Sequence, residues 1–292
     1  MQRWCHHLMK AMTKIAFFDV DGTLVGDTSI PTPTTIDAIQ RFQADGNLAF
    51  ICTGRSKPEI LTEILAIGFD GMIGAGGGFA AYGNEVLHHH TMPEADVRDI
   101  IQFFLANDIA YYLKSNSGLF GSQFYAEKIY ETILAYTQGN LKKAADLMEK
   151  SRWFCDLIDS FADQAIDYAD VNKISFINTD FDYQAIADKF GDKFEMFHMT
   201  VPFFGKESGE IAVKGNDKQT AIDIVLDKLG LTKADAISFG DANNDLAMFR
   251  ACGYNIAMGN ATTELKAAAD EITADVNHDG IAESFERNNY FK

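Results

Sequence analysis

Two aspartates one residue apart, Asp19 and Asp21, close the apolar run of KIAFFDVDGTLV (14–25). Ending a buried strand on two like charges is costly, because carboxylates are expensive to desolvate. Side chains two apart at a strand end lean to the same side. Two carboxylates held close repel unless one is protonated or a metal lies between them. Mg²⁺ is a hard ion that takes one or two carboxylates together with phosphate oxygens. Gly22 and Thr23 follow at once, so the chain turns sharply and can offer backbone N–H groups to an anion. The chemistry implied is a cation and a phosphate held at one strand end. The same DxDG letters also occur in plain turns and in calcium loops.

Three further stretches carry residues of the same kind. CTGR (52–55) sets Thr53 beside Gly54, where a hydroxyl and nearby N–H groups can hold a phosphoryl oxygen, with Arg55 next to them. GDANND (240–245) delivers Asp241, Asn244 and Asp245 directly after an apolar run. Asp245 also suits the first turn of a helix, where an acidic residue meets the positive end of the dipole. Lys214 and Lys218 lie in EIAVKGNDKQTAI, at a helix start. A cation there opposes the dipole and calls for an anionic partner. Either lysine could be the one that serves a site.

These residues need elements to position them. Apolar runs at 15–18, 48–52 and 71–76 alternate with helical patterns at 33–45 and 57–67. The pattern returns after residue 206: helices at 216–229, 243–251 and 262–269 alternate with strands at 236–240, 255–259 and 271–274. Strands apolar on both faces, alternating with helices, predict a doubly wound α/β core with a parallel sheet. Asp19, Thr53 and Asp241 each end such a strand. In open parallel sheets ligands bind at the carboxyl ends of the strands, where strand order reverses.

The middle of the chain is richer in aromatics. It has helical patterns at 94–107, 124–136, 140–149 and 182–190, and strand-like runs at 109–115, 118–122, 173–178 and 193–200. It is expected to be an inserted α/β domain, with core at 12–83 and 206–292, insertion at 84–205 and an irregular extension at 1–11.

Taken together, FFDVDGTL, CTGR, the lysine before QTAI and GDANNDLAMF resemble the four ordered motifs of the haloacid dehalogenase superfamily of phosphotransferases. The insertion between the second and third motifs is similar to the large α/β cap of the Cof-type subfamily. The resemblance implies a Rossmann-like core with a cap that closes over a small phosphorylated metabolite, most plausibly a sugar phosphate. It implies Asp19 as nucleophile, Asp21 as general acid and base, Thr53 and Lys218 as phosphoryl-binding groups, and Mg²⁺ as cofactor. Metal ligands would be Asp19, the main-chain carbonyl of Asp21, Asp241, and Asn244 or Asp245. Gly22, Gly54, Arg55, Lys214 and Asn244 are the remaining phosphate-side candidates. IGAGGGFAAYG has no asparagine where the family commonly carries NGA. A phosphomutase and a silent sugar-phosphate sensor are the alternatives.

Composition narrows the rest. The formal net charge of −17 disfavours nucleic acid or an anionic membrane as partner. No apolar run reaches the ~20 residues that span a bilayer. The N-terminus lacks the apolar stretch of a secretory signal, and Met12 could be the natural start. The four cysteines are scattered, which fits reduced thiols in a cytoplasmic protein. Neither monomer nor homodimer is favoured. DVNHDGIAESFE (275–286) has calcium-loop spacing but is expected to be a polar turn into a C-terminal helix. The run HHH (88–90) alternates faces in a strand, so its three histidines cannot all ligate one ion.

Overall fold

The computed structural model describes residues 13–26, 30–199 and 201–290; the expected extension at 1–11 lies outside them. The chain opens with β1 (Ile15–Phe18), α1 (Pro33–Ala44), β2 (Leu48–Cys52), α2 (Thr62–Leu65) and β3 (Gly71–Gly74), then the hairpin β4 (Phe79–Tyr82) and β5 (Glu85–His89). The middle holds α3 (Glu94–Ala106), β6 (Ala110–Ser115), β7 (Leu119–Gly121), α4 (Tyr125–Tyr136), α5 (Leu141–Asp159), β8 (Val171–Ile177), α6 (Tyr183–Phe190), β9 (Phe194–His198) and β10 (Gly209–Val213). The last part holds α7 (Lys218–Leu229), β11 (Ala236–Gly240), α8 (Leu246–Ala251), β12 (Tyr254–Ala257), α9 (Thr263–Ala268), β13 (Glu271–Ile272) and α10 (Gly280–Arg287).

Two compact units result. One gathers the chain up to Arg55, Ile60–His89 and the chain from Asn216 onward; the other holds Ser56–Glu59 and His90–Gly215. The crossings fall later than the expected 83/84 and 205/206. β5 pairs with β4 and so extends the first unit, while β10 pairs with β8 and β9 and so extends the second.

In the first unit the described strands run in the order β13-β12-β11-β1-β2-β3-β4-β5. From β13 to β3 they are parallel; β4 and β5 are antiparallel additions at one edge. The all-apolar sequence of β1 is explained by two cores. Ala16 and Phe18 face one cluster with Ile39, Phe42 and Phe285, whereas Ile15 and Phe17 face another with Ile222, Val225 and Met248. Thr32 caps α1, its Oγ1 accepting from the Thr35 N–H at 3.1 Å, and Pro33 fits the first helical position. On α10, Phe285 is fully buried and stacks on Phe42 at 4.7 Å. Burying such a ring contributes roughly 1.5–3 kcal/mol.

The expected helix at 57–67 is instead a 3₁₀ turn at Lys57–Glu59 followed by the short α2. Leu61 takes an extended conformation (φ −64°, ψ 150°) and interrupts the run. The expected helix at 140–149 runs on to Asp159, because Ser151, Phe154 and Ile158 continue its buried face. The calcium-like stretch is a capped turn. Asp275 accepts from the Asn277 N–H at 2.9 Å, Asp279 accepts from Thr32 Oγ1 at 2.6 Å, and α10 follows.

The second unit is an antiparallel sheet of order β7-β6-β8-β10-β9 with apolar clusters on both faces. One of its faces also carries a buried ionic group. Glu210 accepts from Lys114 and Lys173, each at 3.0 Å, and from Ser175 Oγ at 3.0 Å; Lys114 also reaches Glu59 at 3.5 Å. Burial alone would raise the Glu210 pKa, but Lys114 and Lys173 outweigh it and hold the carboxyl well below its usual range. A lowered folded-state pKa stabilises above the unfolded carboxylate value and loses that contribution as pH falls through the folded one. Glu210→Gln should therefore cost about 3–5 kcal/mol at pH 7, because it leaves the buried Lys173 ammonium without its carboxylate and Lys114 with only Glu59. Urea unfolding should show the gap to the parent protein narrowing as pH drops below about 4.

Candidate active site

The site grows from three neighbouring strand ends. Phe18 of β1 lies opposite Phe239 of β11 on one side and Ile51 of β2 on the other. That register brings Asp19, Asp241 and Thr53 within one residue of the same level. Strand order turns at β1, so the topology supplies a switch point here. The Asp19 N–H donates to the Phe239 carbonyl at 3.0 Å, and the Thr53 N–H to that of Ile73 at 2.9 Å. The site-bearing residues thus continue the sheet ladder for one step.

After Asp19 the chain folds on itself. The Val20 carbonyl accepts from the N–H groups of Thr23, Leu24 and Val25. Gly22 is required twice: its φ is +83°, and a Cβ there would stand 2.1 Å from Asp241 Oδ2. The turn is pressed directly against the second carboxylate-bearing loop.

Lys218 occupies the centre. Its Nζ donates to Asp19 Oδ1 and Asp245 Oδ1, both at 2.6 Å, and its side chain is 3% exposed. It is the first residue of α7, whose cap is Asp217; a Cβ on Gly77 would sit 2.1 Å from the Asp217 carbonyl. The glycine run 76–78 therefore lets the helix start approach β3. Lys214, the other candidate, belongs to the second unit. There it ends the β10 region, and its Nζ donates to the Asp192 carbonyl at 2.9 Å. Spacing could not separate the two lysines because both sit beside the same helix start.

Asp245 is fully committed. Oδ1 takes the lysine, while Oδ2 accepts from the N–H groups of Asp241 and Ala242 at 3.0 and 3.1 Å. Its place in the first turn of the 243–251 segment and its place in the cluster are the same feature. Asn244 is exposed in that turn. Thr53 is buried, and its Oγ1 accepts from the Arg55 N–H at 3.2 Å, which leaves the hydroxyl hydrogen for another acceptor. Gly54 has open space where a Cβ would stand. Arg55 engages Asp21 with two donors at 2.5 and 2.8 Å. Ala75, in the segment that lacks the family's NGA asparagine, holds φ +53°, and its N–H donates to the Arg55 carbonyl at 2.7 Å.

Two partners were not singled out from the sequence. Thr23 Oγ1 reaches Asp241 Oδ1 at 3.4 Å. Asn260 donates to the Gly22 carbonyl at 2.8 Å and lies 3.5 Å from Asp241 Oδ2. Asn260 follows the parallel strand β12, so the strand-end rule that found Asp241 points to it as well.

Charge is unbalanced in this cluster. One ligand oxygen from each of Asp19, Asp241 and Asp245 lies within 4.8 Å of the others. Lys218 is the cation at their centre. Burial, with help from Asp245 and Asp241, raises the Asp19 pKa to about 8 despite Lys218. Burial and Asp245 push Asp241 to about 6. Burial works against the Lys218 charge, but Asp19 and Asp245 hold its pKa above the usual lysine range. The buried Cys52 thiol beside them is pushed up to about 12 and stays neutral. Three hard oxygen donors with surplus negative charge fit a divalent cation such as Mg²⁺.

A model of the haloacid dehalogenase-like hydrolase family matches residues 16–285. The chain is 23% identical over 288 residues to the Bacillus subtilis protein named phosphatase YwpJ, covering 92% of this chain and 97% of that one. It is 25% identical over 273 residues to the Escherichia coli pyridoxal phosphate phosphatase YbhA, covering 93% and 97%. Among solved structures it is similar to the subclass IIB sugar phosphatase BT4131, with a TM-score of 0.70 and 23% identity over 96% of this chain and 100% of that one. Among the described residues no helix is long and apolar enough to cross a membrane.

Replacing Lys218 with Met leaves Asp19 and Asp245 buried without their counter-ion and should cost about 3–5 kcal/mol of stability at neutral pH. Lys214→Met, at an exposed surface site, should change it by less than about 0.5 kcal/mol. Chemical denaturation of the two variants checks this contrast.

Proposed function

We propose that this chain, which belongs to the haloacid dehalogenase-like hydrolase family, is a Mg²⁺-dependent phosphatase that works through an aspartyl-phosphate on Asp19. The observation that carries the reading is the buried contact of Asp19 with Lys218 at a strand end shared with Thr53 and Asp241. The substrate class is a small phosphorylated metabolite of the sugar-phosphate kind. The activities named for the relatives, on pyridoxal phosphate and on a sugar phosphate, support that class.

The chemistry proceeds in two halves. An Asp19 oxygen attacks phosphorus while the bond to the ester oxygen breaks, and Asp21 gives that oxygen a proton. Water then attacks phosphorus, its proton passes to Asp21, and the Asp19–phosphorus bond breaks to release phosphate. Burial raises the Asp19 pKa, and a cation held beside it would favour the carboxylate form; a carboxylate needs no base to become a nucleophile, and its difficulty is approaching a phosphate dianion. Lys218 and the Thr53 hydroxyl offset that repulsion and stabilise the equatorial oxygens. Asp19, Asp241 and the Asp21 main-chain carbonyl would hold Mg²⁺, with Asn244 and Asp245 beside them. Bound there, the ion supplies positive charge for the phosphate oxygens.

Turnover of p-nitrophenyl phosphate in Mg²⁺, and again after EDTA, tests the proposal. Activity should vanish with EDTA and return with Mg²⁺. Asp19→Asn should have no measurable turnover while retaining its fold, and parent-like activity in that variant would reject Asp19 as nucleophile. A silent sugar-phosphate sensor would show no turnover in the parent protein.

A further inference from the structure

Arg55 grips Asp21 through a two-armed pair. Nη2 meets Oδ1 at 2.5 Å and Nε meets Oδ2 at 2.8 Å. The Asp21 side chain is 63% exposed, so alone it would be a solvated carboxylate free to rotate. The Arg55 side chain is 12% exposed, and its backbone is tied at both ends. Its N–H donates to Thr53 Oγ1 at 3.2 Å, and its carbonyl accepts from the Ala75 N–H at 2.7 Å. A planar guanidinium held this way fixes both the position and the plane of the carboxylate it binds. The fork is mounted on the β2–β3 edge, whereas Asp21 extends from the end of β1.

We propose that Arg55 is the positioning residue for Asp21 and that, with a leaving group that needs no acid, the orientation it imposes acts in phosphoenzyme hydrolysis. The inference rests on the roles given above to Asp19 and Asp21. In the first half Asp21 carries the proton destined for the leaving oxygen. In the second half Asp21 must meet the attacking water in one orientation, and the two-armed contact with Arg55 supplies that orientation. Arg55 gains and loses no proton; it aims the acceptor and offsets its charge beside the phosphoryl group.

p-Nitrophenyl phosphate separates the two halves, since p-nitrophenolate leaves with little help from an acid. Rapid acid quench of the parent protein, Arg55→Met and Arg55→Lys, with ³²P-labelled substrate and Mg²⁺, reads both the p-nitrophenol burst and the phosphoenzyme. Losing the aim of a general base should lower kcat by roughly 10–100-fold in Arg55→Met, a part of the ~10²–10⁴-fold such a group supplies. The burst should approach one product per site, with phosphoenzyme accumulating. Arg55→Lys should recover part of kcat, and it carries the test if Arg55→Met does not fold. A kcat within about twofold of the parent, or a slower burst with no accumulated phosphoenzyme, would overturn the proposal. Label that persists in Asp19→Asn would overturn the nucleophile assignment beneath it instead.

Discussion

The constraint on which this structure turns is an uncompensated negative charge buried at one sheet edge. Asp19, Asp241 and Asp245 converge there, and Lys218 is the ammonium among them. Desolvating carboxylates works against folding, so the protein must hold them in place by force of geometry. It does so with short, rigid devices. The positive-φ turn at Gly22 presses against Asp241, the glycine run before β4 admits the start of α7, and two backbone N–H groups pin Asp245. The first unit's two apolar cores pack both faces of the sheet whose strand ends carry these groups. What looks like a stability defect is the property that suits the site to a cation and a phosphate.

Much of this was legible in the sequence because its signals are local. β1, β2 and β11 are short apolar runs that end on Asp19, near Thr53 and near Asp241, and the strand-end rule needs nothing more. The choice between Lys214 and Lys218 was not legible, since it depends on which residue begins α7 and which still belongs to the β10 region. The Arg55–Asp21 pair was equally hidden. Sequence places Arg55 two residues after Thr53, but the direction of a long side chain is set by packing and not by its neighbours in the chain.

The unit boundaries show the same limit. Strands β5 and β10 carry mixed residues and β4 is a run of only four, so they announce themselves through the partners they pair with. α5 extends ten residues past its expected end because its buried face depends on contacts with α4 and β7. At Ala75 the backbone keeps a left-handed conformation that asparagine or glycine would adopt more easily.

The central claim concerns the ion and can be tested without substrate. Isothermal titration of the parent protein with Mg²⁺ at neutral pH should give saturable binding near one ion per chain. The same titration of Asp241→Asn, which removes one carboxylate from the cluster and leaves the Lys218 pairs intact, should give none. Absence of binding in the parent, or an unchanged isotherm in the variant, would contradict the account.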